Sequence, residues 1–262
     1  MSLDIDLKNK KIIITGASKG LGAVCAKALA QHDATLVLLA RSKEKLEAVQ
    51  ASCKSSKKHL ILAADLTDMK KLPVTIKKAR DFLGGVDVVL HVLGGGLGLR
   101  DPLLHFSDLL KLFTLNIGVA AEINRLVFPE MKQKGSGNLV HVASIASTEA
   151  TGSVGYNTVK SALAAYVRSF GREAAKEGVI VNGILPGGFY APENSWARLE
   201  SKKPEVVKKF IHTYLPRGHL GQAEEVVPMV LLLCSNLASM TGGCLIPLDA
   251  GEGRAYTTHT SN

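Results

Sequence analysis

The chain has 262 residues, 46% of them hydrophobic, enough for one large α/β domain or two small ones. No apolar run approaches the ~18 residues of a membrane-spanning helix; the longest candidate, from Val226 to Cys234, is about half of that. The formal net charge of +9 raises the question of nucleic acid, but only 5% of residues are aromatic and the lysines scatter, as at Lys57-Lys58, Lys202-Lys203 and Lys208-Lys209.

Base-stacking proteins interleave aromatics with their basic groups, so the positive excess reads instead as solvated surface that steers anionic cofactors and substrates. The first eight residues alternate charged and apolar side chains and lack the long apolar core of a signal peptide. Cys25, Cys53, Cys234 and Cys244 show neither paired nor metal-type spacing. These features lead us to expect a soluble, cytoplasmic protein with free thiols, no metal, and neither nucleic acid nor membrane as a partner.

In chain order, the β-branched run 11–15 ends at Gly16 and predicts a buried strand. Residues 22–31, rich in Ala and Leu, predict a helix. A second strand follows at 35–39, and Ser42 is a natural N-cap for a helix running through Val49. Strands at 59–63 and 86–93 flank a helix at 69–83. A long helical stretch at 107–134 leads to a strand at 138–142, then a helix at 156–176, a strand at 179–185, a helix at 223–235 and a last strand at 244–248. Apolar strands separated by helices of this length argue for parallel βαβ units. Right-handed crossovers make these a doubly wound α/β sheet with helices on both faces. No linker, repeat or low-complexity tract divides residues 1–262, so a single domain is expected. The one irregular stretch, 187–221, holds Pro192, Pro204 and Pro216 and follows a strand end, where ligands bind in such sheets. It reads as a substrate lid or as a decorative insertion.

Between the first strand and its helix lies Thr15-Gly16-Ala17-Ser18-Lys19-Gly20-Leu21-Gly22. Glycines there permit a tight turn and let backbone N–H groups approach a pyrophosphate at the helix N-terminus. Far downstream, Tyr156 and Lys160 are four residues apart and share a helix face, with Ser144 twelve residues before Tyr156. A nearby cation favours phenolate; moving a phenol from about 10 toward 7 takes roughly 4 kcal/mol. The pair therefore reads as a proton donor poised near neutral pH.

With Asp65-Leu66, Asn116, Pro186-Gly187, the 216–226 segment and the ending Thr241-Gly-Gly…Leu248-Asp-Ala-Gly251, these motifs resemble the classical short-chain dehydrogenase/reductase family, including its 3-oxoacyl-[acyl-carrier-protein] reductases. The resemblance runs from about residue 8 to 253. It implies a Rossmann-type domain of about seven parallel strands and NAD(P)-dependent oxidoreduction. The charges choose NADP(H): neutral Ala40 stands where an NAD enzyme carries an acid, Arg41 follows, and Lys19 and Ser18 lie in the turn. The resemblance also implies that Asp65 meets the adenine, although a helix N-cap is the alternative.

By the same resemblance, Ser144 binds a substrate carbonyl, Tyr156 delivers or removes the proton, Lys160 holds the nicotinamide ribose and lowers the Tyr156 pKa, and Asn116 anchors a water in a relay. Ser147 competes with Ser144, at a shorter spacing. The family's Asn-Asn-Ala-Gly is replaced by His91-Val-Leu-Gly94, which leaves His91 as backbone brace or core histidine, while Gly94-Gly-Gly-Leu-Gly98 either allows a cofactor close or is a flexible turn. No threonine follows Pro186-Gly187 at the usual place. Phe189, Tyr190, Trp196 and Tyr214 either line a pocket or pack the lid. Arg168, Arg172 and Lys176 offer an acyl-carrier surface that Glu177 spoils. Ala120, Ala121, Ile123 and Leu126, with Leu163, Tyr166, Val167 and Phe170, either form an interface in a tetramer or dimer or only cover the sheet. Two readings stand behind the reductase: a sensor that binds NADPH, and a nucleic-acid binder.

Overall fold

The structure, a computed structural model, describes residues 5–255. In chain order it runs β1 (Lys11–Thr15), α1 (Gly20–Gln31), β2 (Thr35–Ala40), α2 (Lys43–Ala51), β3 (Leu60–Ala63), α3 (Leu72–Leu83) and β4 (Val88–His91). Then come α4 (Phe106–Phe113), α5 (Val119–Lys134), β5 (Gly137–Val142), α6 (Val154–Ala175), β6 (Val179–Pro186) and β7 (Phe189–Tyr190). The chain continues through α7 (Ser195–Lys202), α8 (Pro204–Tyr214), β8 (Gly221–Gln222), α9 (Ala223–Cys234) and β9 (Leu245–Leu248).

Seven strands form one parallel sheet in the order β3-β2-β1-β4-β5-β6-β9. The apolar runs of the central strands make sense because both faces are covered. Side chains alternate across a strand: Ile12 and Ile14 enter one apolar cluster with Leu29 of α1 and Val230 of α9, whereas Ile13 enters another with Ile76 of α3, Ile123 of α5 and Val167 of α6. β2 divides in the same way, Leu36 and Leu38 to the first cluster and Val37 and Leu39 to the second. The order reverses between β1 and β4, so the carboxyl ends of these two strands, Thr15 and His91, open a crevice at the switch point.

Two expectations change. The long helix at 107–134 is interrupted by a π-turn, Thr114–Gly118, between α4 and α5; no proline or glycine pair marks the site in advance. The stretch 187–221 is not irregular, since it contains α7, α8 and a two-residue parallel pair, β7 with β8. Asn194 caps α7 by accepting from Ala197 N at 2.9 Å, and Pro204 sits in the first turn of α8, where its missing N–H costs nothing. Of the side chains on α5 and α6, Ala120, Ile123, Leu163 and Val167 are buried inside the chain and cover the sheet, whereas Ala121, Leu126, Tyr166 and Phe170 are half-buried. An exposed apolar face lies on and before α4, at Leu103, Phe106, Leu110 and Phe113.

Candidate active site

The glycine turn is a cradle that a β-carbon would fill. Gly16 (φ 68°) and Gly20 (φ 59°) adopt left-handed backbone. A Cβ on Gly16 would meet Leu93 N at 3.0 Å, and one on Gly22 would meet Gly16 O at 2.3 Å. Leu21 is buried beneath the turn, Ser18 is half-buried and Lys19 exposed. Arg41, exposed, follows the end of β2. This concavity at the N-terminus of α1 fits a dinucleotide pyrophosphate.

Asp65 does not cap a helix. Its Oδ1 accepts from Thr67 N at 3.0 Å and Thr67 Oγ1 at 2.7 Å, bonds that hold its carboxyl below the usual range, with the Arg41 charge adding to the effect. Helix α3 begins only at Leu72, and Asp68 serves the amides of Lys70 and Lys71 before it. Leu66, beside Asp65, is buried.

Ser144 ends β5's extension, with its Oγ accepting from Ala146 N at 3.2 Å, and its hydroxyl lies near enough to Tyr156 to favour the phenolate. Ser147, the competing serine, keeps its hydroxyl buried and without a hydrogen-bond partner among the described residues. Lys160 is 3% exposed. Its Nζ lies 5.7 Å from the centre of the Tyr156 ring and donates to Val142 O at 2.9 Å. Burial pushes the Lys160 ammonium down to about 8. It also pushes the Tyr156 phenol up, against the smaller opposing effect of the nearby Ser144 hydroxyl. The expectation of a lowered Tyr156 pKa is thus reversed in the protein alone: desolvating phenolate costs more than its neighbours return. At neutral pH the phenol stays protonated, the form that donates.

Asn116 lies in the π-turn, 2% exposed. Its Oδ1 accepts from Gly95 N at 2.9 Å, and its Nδ2 donates to Gly95 O at 3.0 Å and Leu112 O at 2.9 Å. The extra residue of the π-turn brings the side chain to the loop after β4, a common use of such bulges. Gly94 fits between the two polar groups: a Cβ there would lie 2.8 Å from Asn116 Oδ1 and 3.2 Å from Lys160 Nζ.

The bracing that the missing asparagines leave open comes from elsewhere. Thr15 Oγ1 accepts from both Val92 N and Leu93 N at 3.2 Å, and Asn116 holds Gly95. His91 turns away into the core. It pairs in register with His141 of β5, stacks on it with ring centres 4.6 Å apart, and meets Asn124 Oδ1 through Nε2 at 2.8 Å. Asn124 Nδ2 also reaches His141 Nε2 and Tyr166 Oη, both at 3.1 Å.

At the far side, Pro186 is buried and Gly187 N donates to Leu248 O at 3.1 Å. Gly188 N donates to the Glu252 carboxylate, a contact that no local sequence pattern announced. Gly152 was also missed; a Cβ there would face the Tyr156 ring at 2.8 Å, as one on Gly96 would at 3.7 Å. Of the aromatics, Trp196 and Tyr214 pack on Phe210, with ring centres 4.3 and 5.3 Å away. Trp196 and Tyr190 belong to a small apolar core around Val207, Leu215 and Leu220, and Tyr214 is exposed. Phe189 packs against the main core.

The comparisons agree with this geometry. The family model for short chain dehydrogenases matches residues 10–201, and the chain belongs to that family, whose members are oxidoreductases that use a nicotinamide dinucleotide. Among its relatives, the 3-oxoacyl-[acyl-carrier-protein] reductase FabG of Aquifex aeolicus is 27% identical over 255 residues, covering 95% of this chain and 99% of that one. The levodione reductase of Leifsonia aquatica is 28% identical over 258 residues, with 95% and 96% covered. The crystal structure of a 3-oxoacyl (acyl-carrier-protein) reductase from Agrobacterium tumefaciens, with NADP bound, superposes with a TM-score of 0.87 at 25% identity, covering 94% of this chain and 95% of that one.

Proposed function

We propose that the protein is an NADP(H)-dependent oxidoreductase that interconverts a carbonyl and a secondary alcohol, acting as a 3-oxoacyl-type or general ketone reductase. The observation that carries this reading is the buried Lys160 with its Nζ 5.7 Å from the Tyr156 ring centre, beside Gly94 and with Ser144 near enough to act on the phenol. Gly16, Ser18, Gly20, Leu21 and Gly22 would hold the pyrophosphate side of the cofactor, Lys19 and Arg41 its 2′-phosphate, and Asp65 and Leu66 the adenine. Gly94, Pro186 and Gly187 would border the nicotinamide. When bound, that ring supplies the hydride for the carbonyl carbon, or accepts it in the reverse direction.

The remaining steps belong to the chain. Ser144 Oγ donates to the substrate carbonyl oxygen and fixes its position. Tyr156 Oη, protonated at neutral pH, passes its proton to that oxygen as the carbon is reduced. Lys160, mostly ammonium below pH 8, holds the ribose hydroxyls and restores the phenol's proton. Asn116, with one Oδ1 lone pair beyond its bond to Gly95, anchors a water on the way to Lys160.

Residues 1–262 act as one catalytic unit with 187–221 as the lid, on a small-molecule substrate in the cytoplasm. Of the basic groups on α6, Lys176 pairs with Glu173, and Glu177 with Lys132, while Arg168 and Arg172 stay exposed, so both carrier-bound and free acyl substrates belong in the test. Assembly into a homo-oligomer, tetramer or dimer, would use the exposed α4 face.

The test is NADPH oxidation across acetoacetyl thioesters, diketones, cyclic ketones and keto sugars, with NADH alongside. Turnover that prefers NADPH is the expected result. Tight NADPH binding without turnover on any member would favour the sensor reading.

A further inference from the structure

The lid is tied to the dinucleotide turn. Gly20, first residue of α1, donates its N–H to Pro192 O at 2.9 Å. The next residue, Glu193, pairs its carboxylate with Lys45 in the first turn of α2, and its own carbonyl accepts from Arg198 Nη1. The charges of Lys19 and Arg198 act on Glu193 as well as that of Lys45, and together they hold its carboxyl below the usual range. Glu193 has φ 58°, left-handed backbone that a β-carbon-bearing residue adopts only when its surroundings demand it.

A lid carbonyl therefore sits on the first amide of α1, and a lid carboxylate sits among Lys19, Lys45 and Arg198. Anions bind at a helix N-terminus, and a phosphate makes stronger charge-assisted hydrogen bonds than neutral acceptors do. The groups gathered here are those a nucleotide phosphate would seek, and an acidic side chain of the same chain has reached them.

We propose that Glu193 is an internal stand-in for the cofactor's 2′-phosphate: it holds Lys45 and draws the lid onto the glycine turn until that phosphate takes Lys45 over and releases the lid. Lys45 then joins Lys19 and Arg41 as a third cation of the phosphate site. NADH carries no 2′-phosphate, so it leaves the Lys45–Glu193 pair intact. The lid thus responds to which dinucleotide is bound. This inference rests on the NADP(H) reading above.

The experiment titrates NADPH and NADH, by calorimetry, into wild type, Glu193→Gln and Lys45→Gln, and follows hydrogen exchange of the lid amides 193–202 without nucleotide. Both side chains are substantially exposed, so both variants are expected to fold. Glu193→Gln should bind NADPH about two- to fivefold more tightly, the worth of one exposed ion pair, with NADH unchanged. Lys45→Gln should weaken NADPH by a similar factor and spare NADH. Lid exchange should quicken in Glu193→Gln at an unchanged melting temperature. A wild type that prefers NADPH, with the same NADPH-to-NADH affinity ratio in Glu193→Gln, would overturn the stand-in alone. A wild type that binds NADH as well as NADPH would overturn the NADP(H) reading, and the stand-in with it.

Discussion

Lys160 meets opposed demands, because the chemistry needs its charge and burial resists it. Its folded pKa, about 8, lies below the ordinary 10.5. A lysine lowered in this way penalises the folded state wherever it is charged; the full cost applies below pH 8 and is relieved as pH rises from 8 to 10.5. The gap corresponds to about 3 kcal/mol. Lys160→Met is therefore expected to raise the unfolding free energy at pH 7 by about 1–3 kcal/mol in urea titrations while abolishing turnover. In the wild type, the reductive kcat/KM should fall about tenfold per unit once pH passes 8, since Tyr156 stays protonated and Lys160 does not. A profile flat to pH 10 would contradict this role.

β4 and β5 are joined by more than their ladder. His91 and His141 stack, bridged by Asn124 of α5, and burial pushes both below their usual range, His141 to about 4. The sign is that of any group whose pKa folding lowers: neutral imidazoles cost nothing above pH 6.5, and stability is lost as pH falls from 6.5 toward 4. His141 alone accounts for about 2 kcal/mol at pH 5. Urea unfolding at pH 7 and pH 5 should show the loss, and His141→Gln should reduce it; equal stability at the two pH values would contradict the buried pair. The strands that carry these histidines were legible because runs such as Ile12-Ile13-Ile14 suit only a sheet covered on both faces. The π-turn was hidden, since Thr114-Leu-Asn-Ile-Gly118 keeps helical composition, and α8 was hidden behind a proline that reads as a breaker but opens a helix. The glycine cradle and the Ser144, Tyr156 and Lys160 set were visible from spacing. Their partners Pro192, Glu193 and Glu252 were not, because contacts distant in sequence leave no local pattern.

On the molecule as a whole, charge and apolar surface are separated. Some surface lysines pair with acids, as Lys54 does with Asp33 and Lys77 with Asp81, whereas Leu103, Phe106, Leu110 and Phe113 form an open apolar face of the kind that marks an interface. Light scattering should find the wild type dimeric or tetrameric and Phe106→Asp/Leu110→Asp in a smaller state; a monomeric wild type would refute the assignment of that face. The central claim is that this fold brings its glycine turn and Tyr156 to one reacting carbonyl. The most direct measurement sets turnover against NADPH affinity in Tyr156→Phe, a change that removes one hydroxyl. The account predicts NADPH binding within about twofold of wild type and turnover reduced by at least about a hundredfold. Turnover within a few-fold of wild type would contradict it.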